Sequence, residues 1–190
     1  MSKYLIIYAN PRHDGHGGYL LEQVEKGFEN YGADFETIDL YRIGYDPVLK
    51  ETELYSTGNR HIDAQNLLFQ EKIKTASSLL FIYPTWWQAP PAMLKGFIDR
   101  VFTSGFSFTY AYGLPVGLLK NKKAAAFTSS GSPSFYQFFT GNPALKVLLK
   151  YTLAFSGMRT RGYALGRASS LETNKKELED IAKRIVKYLL

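Results

Sequence analysis

Leu79 to Tyr110 read LLFIYPTWWQAPPAMLKGFIDRVFTSGFSFTY. The apolar run Leu79 to Tyr83 is too short for an ordinary helix and stops at Pro84, which predicts a buried strand. A tight turn follows, with two adjacent tryptophans and two adjacent prolines. From Pro91 the spacing becomes helical, with Met93, Leu94, Phe97, Ile98 and Val101 on one side. Pro90 and Pro91 stiffen the turn, and Pro91 is expected at the first helical position, where no amide hydrogen is needed. Strand, aromatic-proline turn and helix together place a flat ligand at the carboxyl edge of an open α/β sheet. Two indoles in a row cannot both point inward from one extended turn, so at least one is expected to line a surface cleft.

Outward from that stretch, strands and helices alternate. Tyr4 to Tyr8 predicts strand one, Tyr19 to Tyr31 an amphipathic helix, and Phe35 to Leu40 strand two. A long segment, Tyr41 to about Arg60, carries turn signals at Asp46-Pro47 and Gly58-Asn59 before a helix from about Asp63 to Thr75. Strand four is expected at Ala124 to Thr128, a helix at Pro143 to Phe155 ended by Gly157, strand five at Thr160 to Leu165, and a closing helix at Lys175 to Leu190. Five βα pairs imply a parallel sheet covered on both faces, one α/β domain over residues 1–190.

Composition narrows the chemistry. The 190 residues contain no Cys, which excludes disulfides, zinc-thiolate sites and thiol nucleophiles. Of the three histidines, His13, His16 and His61, no pair has a familiar metal spacing on a helix, so no metal is expected. The formal charge of +6 permits anionic partners such as phosphorylated cofactors. The basic residues are scattered, which reads as a solvated surface rather than a nucleic-acid site. No apolar run approaches the ~18 residues that cross a bilayer, and KYLIIYAN at the start is too short and too polar at its flanks for a signal peptide. A cytoplasmic location is expected.

In such a sheet the loops after strands one, three and four gather at one edge. The first, Asn10 to Gly18, leads into a helix, whose N-terminal amides and partial positive charge suit a phosphate. Its glycines at 15, 17 and 18 allow close backbone approach. His13 and His16 either contact that phosphate or stand exposed in the loop. The loop lacks both the Walker spacing and G-x-G-x-x-G. The third loop, Thr128 to Tyr136, is rich in small hydroxylated residues that suit the polar edge of a ring.

The segment YPTWWQAPPAMLKGFIDRVFTSGFSFTY resembles the signature of the NAD(P)H:quinone oxidoreductases, the DT-diaphorase-like enzymes of flavodoxin-like fold. The strand-one loop and helix, DLYRIGYDPVL at the end of strand two, and TSSGSPSFY extend the likeness along the chain. The resemblance implies a three-layer sandwich with a five-stranded parallel sheet. It also implies FAD or FMN, NAD(P)H as transient hydride donor, and a homodimer with active sites at the subunit interface. Cofactor contacts are then expected at His13, His16, Gly17, Gly18, Tyr19, Pro84, Thr85, Trp86, Trp87, Gln88, Ala89, Thr128, Ser129, Ser130, Gly131 and Tyr136. Trp87, Phe106, Phe108 and Tyr110 are expected to wall the substrate pocket. FAD is favoured over FMN because the long Tyr41 to Arg60 segment can cover an adenosine half. Three positions depart from better-known members: Ser130 replaces a glycine of a Gly-Gly pair, Phe108 replaces a pocket tyrosine, and no histidine follows Tyr136.

The implied reaction is ping-pong. Hydride passes from NAD(P)H to flavin N5 and then to a quinone or similar small aromatic acceptor, while the protein positions the flavin. Donors near flavin N1 steady the charge of the reduced ring. Tyr136 and Gly131 are the catalytic candidates, joined by the amide of Ser130. The apolar surface of the long segment and of Phe106 to Tyr112 also predicts a homodimer. Azo, nitroaromatic or flavin reduction is the neighbouring alternative, as is the role some relatives play as ancillary subunits of potassium efflux systems. A one-electron flavodoxin-type carrier shares the fold, but such carriers are usually strongly acidic.

Overall fold

The computed structural model describes residues 4–54 and 61–190. Five strands, β1 (Tyr4–Tyr8), β2 (Phe35–Asp39), β3 (Ser78–Pro84), β6 (Lys123–Ser129) and β7 (Arg159–Leu165), form one parallel sheet. Its order is β2-β1-β3-β6-β7. The chain therefore runs outward from β1 to β2 and then returns across β1 to β3. That reversal opens a crevice beyond the carboxyl ends of β1 and β3, where neighbouring connections leave in opposite directions.

Side-chain alternation along the strands builds a core on each face. Leu5, Ile7, Leu79, Phe81, Ala124 and Ala126 face one layer with α2 (Ala64–Thr75) and α3 (Ala92–Val101). Tyr4, Ile6, Leu80, Ile82, Ala125 and Phe127 face the other, with α1 (His16–Asn30) and α6 (Leu171–Leu189). Burial on both faces explains why β1 and β3 read as unbroken apolar runs.

Several boundaries differ from the sequence reading. Helix α1 begins at His16, not Tyr19, so Gly17 and Gly18 lie inside its first turn. Glycine is a poor helix former, but here contacts decide. A Cβ on Gly18 would fall within 2.7 Å of the His13 Cα and nearer still to its carbonyl. Pro91 is the N-cap of α3 rather than its first helical residue, with ψ at 148°. The helix expected to reach Phe155 is α-helical only over α5 (Pro143–Leu148) and continues as a π turn over Leu149–Ala154. Thr152 Oγ1 donates to the Val147 carbonyl five residues back, at 3.3 Å, in keeping with that wider winding. Helix α6 starts four residues earlier than expected.

Among the features not foreseen are a helix and a hairpin. One is the helix α4 (Ser134–Phe139). The other is the antiparallel pair β4 (Phe108–Ala111) and β5 (Leu114–Gly117). Tyr112 and Gly113 at its tip both have positive φ, as a two-residue type I′ connection requires.

After β2 the chain crosses over α2 and α3. Tyr45 is buried, with ring centroids 5.9 Å from Phe69 and 5.6 Å from Phe97, and its hydroxyl donates to Asn66 Oδ1 at 2.9 Å. Pro47 sits directly over Gly96, where any Cβ would meet its backbone. The Gly58-Asn59 turn lies outside the described residues.

Candidate functional site

Three loops meet at the switch point and enclose a cleft of about 320 Å³. The loop after β1 contributes Asn10, Arg12, Gly15, His16 and Gly17, the turn after β3 contributes Pro84, Thr85 and Trp86, and the turn after β6 contributes Ser129, Ser130 and Gly131. The volume lies at the low end for small-molecule sites. A larger groove of about 570 Å³ lies between β7 and α6, but Lys176, Glu177, Asp180 and Arg184 line it as the solvated face of a helix.

The β1 loop is braced from below. Tyr8 is buried and its hydroxyl donates to the Arg12 carbonyl at 2.5 Å, while Asn10 Oδ1 accepts from the Arg12 amide at 3.1 Å. Burial, helped by nearby Asp39, pushes the Tyr8 phenol far above its ordinary value, so it stays protonated and remains a donor. Helix α1 opens with Gly15 as N-cap and has no side-chain cap. Its first amides thus lack an intrahelical acceptor and border the cleft.

The β3 turn is held by main chain. Trp86 and Ala89 exchange both backbone hydrogen bonds, at 3.0 and 2.9 Å. The two residues between them, Trp87 and Gln88, have φ of 50° and 60°. Non-glycine residues in that region typically store about 1–3 kcal/mol each, and such strain clusters at ligand sites. The turn is tied to β6 by the Thr85 amide on the Ser129 carbonyl, 2.8 Å, and by the hydroxyls of Thr85 and Thr128, 2.7 Å apart.

Of the residues singled out from sequence, the cleft brings together His16, Gly17, Pro84, Thr85, Trp86, Ser129, Ser130 and Gly131. Others are turned elsewhere. His13 Nε2 sits 2.6 Å from Asp39 Oδ2 and its ring lies against Tyr8, so it faces the end of β2. Gly18 seats the His13 carbonyl, and the Tyr19 hydroxyl donates to Glu179 on α6 at 2.8 Å. Thr128 is buried beneath the turn, and Gln88 and Ala89 are not among the residues that line the cleft. Trp86 is 45% exposed at the cleft, whereas Trp87 is 100% exposed and points away from the chain.

The Ser130 amide, expected as a ring donor, is already engaged with the Leu165 carbonyl at 2.9 Å, because sheet pairing runs one residue past β6. Tyr136, on α4, is 46% exposed and stands outside the cleft lining. Phe108 and Tyr110 line a separate hollow of about 530 Å³ with Leu49, Leu54, Ile62 and Phe102, and Phe106 packs beside it at Phe102. Sequence reasoning placed the loop from Asn10 to Gly18 at this edge, with Gly15 marked for close backbone approach, but did not single out Asn10 or Arg12, and it missed Ala168. Asn10 and Arg12 follow β1 directly and enter with the rest of that loop by the switch-point rule. Ala168 arrives from the loop after β7, and nothing in its local pattern marks it.

Among the described residues no group of three or more His, Cys, Asp or Glu side chains is arranged to hold a metal, and no helix is long and apolar enough to cross a membrane.

The chain is 34% identical over 130 residues to an uncharacterized NAD(P)H oxidoreductase of Haemophilus influenzae, a stretch covering 68% of this chain and 64% of that one, less than two thirds of the relative. It is 28% identical over 162 residues to an FMN-dependent NADH:quinone oxidoreductase of Caldicellulosiruptor saccharolyticus, covering 80% and 81%. Its fold superposes on that of the NAD(P)H:quinone oxidoreductase from Methanothermobacter marburgensis with a TM-score of 0.82 at 26% identity, covering 100% and 96% of the two chains. The sequence pattern of the flavodoxin-like fold family (Flavodoxin_2) runs through residues 2–189, so the switch-point cleft and the sheet beneath it are those of a member of that family, to which this chain belongs.

Proposed function

We propose that this protein is a flavin-dependent NAD(P)H oxidoreductase that reduces quinones or similar small aromatic acceptors. The observation that carries the reading is the uncapped N-terminus of α1 facing the turns after β3 and β6 across one cleft. The residues fit a flavin nucleotide. A Cβ at Gly15 or Gly131 would meet nothing within 4 Å, so the backbone at both ends of the cleft is open to a ligand. The names of the relatives support the same chemistry.

A bound flavin would supply hydride acceptance and donation. The chain's own residues bind and orient it. The α1 amides and the Gly15–Gly17 backbone suit the phosphate. Trp86 and the Thr85 backbone suit one edge and face of the ring. Gly131, exposed at the tip of the β6 turn, is the amide donor proposed for the side of the ring where charge grows, with the Tyr136 hydroxyl as its companion. The segment expected to cover an adenosine lies instead over α2 and α3 as far as Leu54, so that ground for favouring FAD is gone. The part held is the FMN moiety that both flavins contain.

Purified protein is expected to take up flavin in a one-to-one ratio, with bleaching of its visible absorbance on anaerobic addition of NADH or NADPH and return of colour on adding a quinone. Mass spectrometry of the released cofactor distinguishes FMN from FAD. Absence of flavin uptake in calorimetry would withdraw the whole reading.

We also propose a two-fold homodimer. Trp87, Tyr110, Tyr112, Leu114, Phe138 and Phe139 are all exposed, more apolar surface than a monomer ordinarily presents. Phe108 and Tyr110 do not reach the flavin cleft of their own chain, so their proposed place is the acceptor pocket of a second copy. Light scattering at micromolar concentration is expected to give twice 21.5 kDa, and a mass near 21.5 kDa itself would count against the assembly.

A further inference from the structure

We infer that the outer edge of β7 docks an extended acidic segment of a partner protein, which adds to the sheet as a further strand. The sheet order ends at β7, so that edge has no neighbouring strand. The Arg159 amide donates to the Lys122 carbonyl at 3.0 Å, and the Leu165 carbonyl accepts from the Ser130 amide at 2.9 Å. Alternate residues therefore turn their main chain toward β6, and Thr160, Gly162 and Ala164 turn theirs outward. Such a row of N–H and C=O groups is a template for another strand. Beside it runs the groove of about 570 Å³ between β7 and α6. A strand at the ordinary spacing of about 4.8 Å would lie along it.

Charge selects the partner. Lys123 on β6 and Arg159 and Arg161 on β7 share the sheet face that Ala125, Phe127 and Tyr163 turn toward α6. Arg161 and Lys123 lie over the Tyr188 ring, 5.5 and 5.8 Å from its centroid, and the Tyr188 hydroxyl donates to the Arg159 carbonyl at 2.9 Å. Arg184, from α6, lies 5.4 Å from the centroid of Tyr163. Among the described residues none of these four cations is in an ion pair. Side chains alternate along a strand, so carboxylates two residues apart on the added segment fall on this face beside Arg159 and Arg161. Helix α6 runs back along β7, with Tyr188 at Arg159 and Arg184 at Tyr163, which puts Asp180 and Glu177 toward the carboxyl end of the groove. Lys183 answers Asp180, 3.7 Å away. The acidic residues of the segment therefore belong at the Arg159 end.

Charged side chains on edge strands also guard against self-association. That duty accounts for the two arginines of β7 but not for Lys123 and Arg184, which other elements bring to the same place. The outward main-chain row favours a polypeptide over a lipid or nucleic-acid surface, since neither of those completes a β ladder. The cleft lies beyond the opposite, carboxyl ends of the strands, so a partner held at β7 leaves it open.

The test uses the full chain and a short fluorescein-labelled peptide of alternating valine and glutamate, with binding followed by fluorescence anisotropy. The parent is expected to bind it, and more weakly as salt is raised. Arg159→Gln combined with Arg161→Gln is expected to weaken binding by about two- to thirtyfold, the range for two lost cross-strand charge pairs. Thr160→Pro removes one outward amide and none of the bonds to β6. It should weaken binding by about two- to tenfold while the melting temperature stays near that of the parent. Amide exchange gives the sharpest readout, and it needs no variant to fold. On addition of the peptide, Thr160, Gly162 and Ala164 should slow, whereas Arg161 and Tyr163, already bonded to β6, should change little.

No binding of the peptide at millimolar concentration would overturn the inference. So would exchange that slows evenly along β7 or not at all, which would mean charge attraction without an added strand. Tighter binding of phosphatidylglycerol vesicles or of duplex DNA, lost with the two arginines but kept in Thr160→Pro, would reassign the patch to a phosphate surface. A fall in the mass of the peptide-free protein on Thr160→Pro would make the edge a contact between copies of this chain and remove the acidic partner.

Discussion

Gly18→Ala is expected to lower both the stability of the protein and its affinity for flavin. In an exposed helix the same change normally stabilises by up to about 1 kcal/mol, because alanine is the best helix former. Here the sign reverses. A Cβ at position 18 would collide with the carbonyl carbon and oxygen of His13, atoms of the main chain that cannot rotate aside. His13 is itself pinned by Asp39, 2.6 Å away, so the loop between β1 and α1 must shift as a unit or the first turn of α1 must unwind.

Overpacking of this kind typically costs about 1–3 kcal/mol. Either response moves the α1 amides relative to the cleft, and each hydrogen bond lost to a charged phosphate is worth about 1.5–3 kcal/mol. FMN affinity should drop by roughly one to two orders of magnitude. Gly15→Ala is the control for stability, since nothing lies within 4 Å of its Cβ. Thermal melts should separate the two variants by several degrees. If Gly18→Ala melts and binds like the parent, the close approach of His13 to α1 is not as described.

Arg100→Met is expected to be the most destabilising single change outside the hydrophobic core. Arg100 is only 4% exposed, on the inner side of α3. Its Nε lies 2.9 Å from Glu53 Oε2 and one terminal nitrogen 2.9 Å from Glu53 Oε1. The other donates to the Asp46 carbonyl. One side chain thus clips the segment after β2 onto α3 at two points. Methionine replaces much of the volume but leaves the Glu53 carboxylate buried without its partner. Removing one member of a buried pair typically costs about 3–5 kcal/mol, which for a chain of this size lowers Tm by roughly 6–20 °C. Adding Glu53→Leu to Arg100→Met should recover most of the loss, because an apolar pair is often as stable as the ionic one. A drop that persists undiminished in the double variant would contradict the account.

The same pair sets an acid limit. Burial alone pushes Glu53 upward, but hydrogen bonds from Arg100 and from the Lys50 amide more than offset it and leave the carboxyl below its ordinary 4.5. A carboxylate lowered in the folded state contributes stability that is complete above its unfolded value. That contribution is lost as pH falls through the folded value. Melts of the parent should therefore weaken below about pH 4.5, and Arg100→Met should lose the part of that slope that comes from Glu53.

Much of the fold was legible because its signals are local. Leu79 to Tyr83 and Tyr4 to Tyr8 are apolar runs bounded by breakers, and burial on both faces of a parallel sheet demands that composition. The cleft's location followed from topology: once β1 and β3 are neighbours in a doubly wound sheet, the crevice lies beyond their ends, whatever the loops contain. The tryptophan turn was legible as a cleft-former but not as a conformation. Proline suggested stiffness, whereas the turn takes its shape from a reciprocal backbone pair that forces Trp87 and Gln88 into positive φ.

By itself, the sequence determined the succession of the five sheet strands, the parallel sheet, the absence of thiol chemistry and the loops that would meet at its edge, since periodicity and residue type act over a few neighbours. The tertiary structure alone decided which way each side chain turns. It set His13 on Asp39 rather than over the cleft, engaged the Ser130 amide with Leu165, folded the chain after β2 onto α3 through Arg100, and drew Ala168 into the site. Those partners are separated from one another by 26 to 47 positions in the two side-chain pairs. Contacts over such distances are chosen by packing and by the need to satisfy buried polar groups, neither of which leaves a mark on the residues next door.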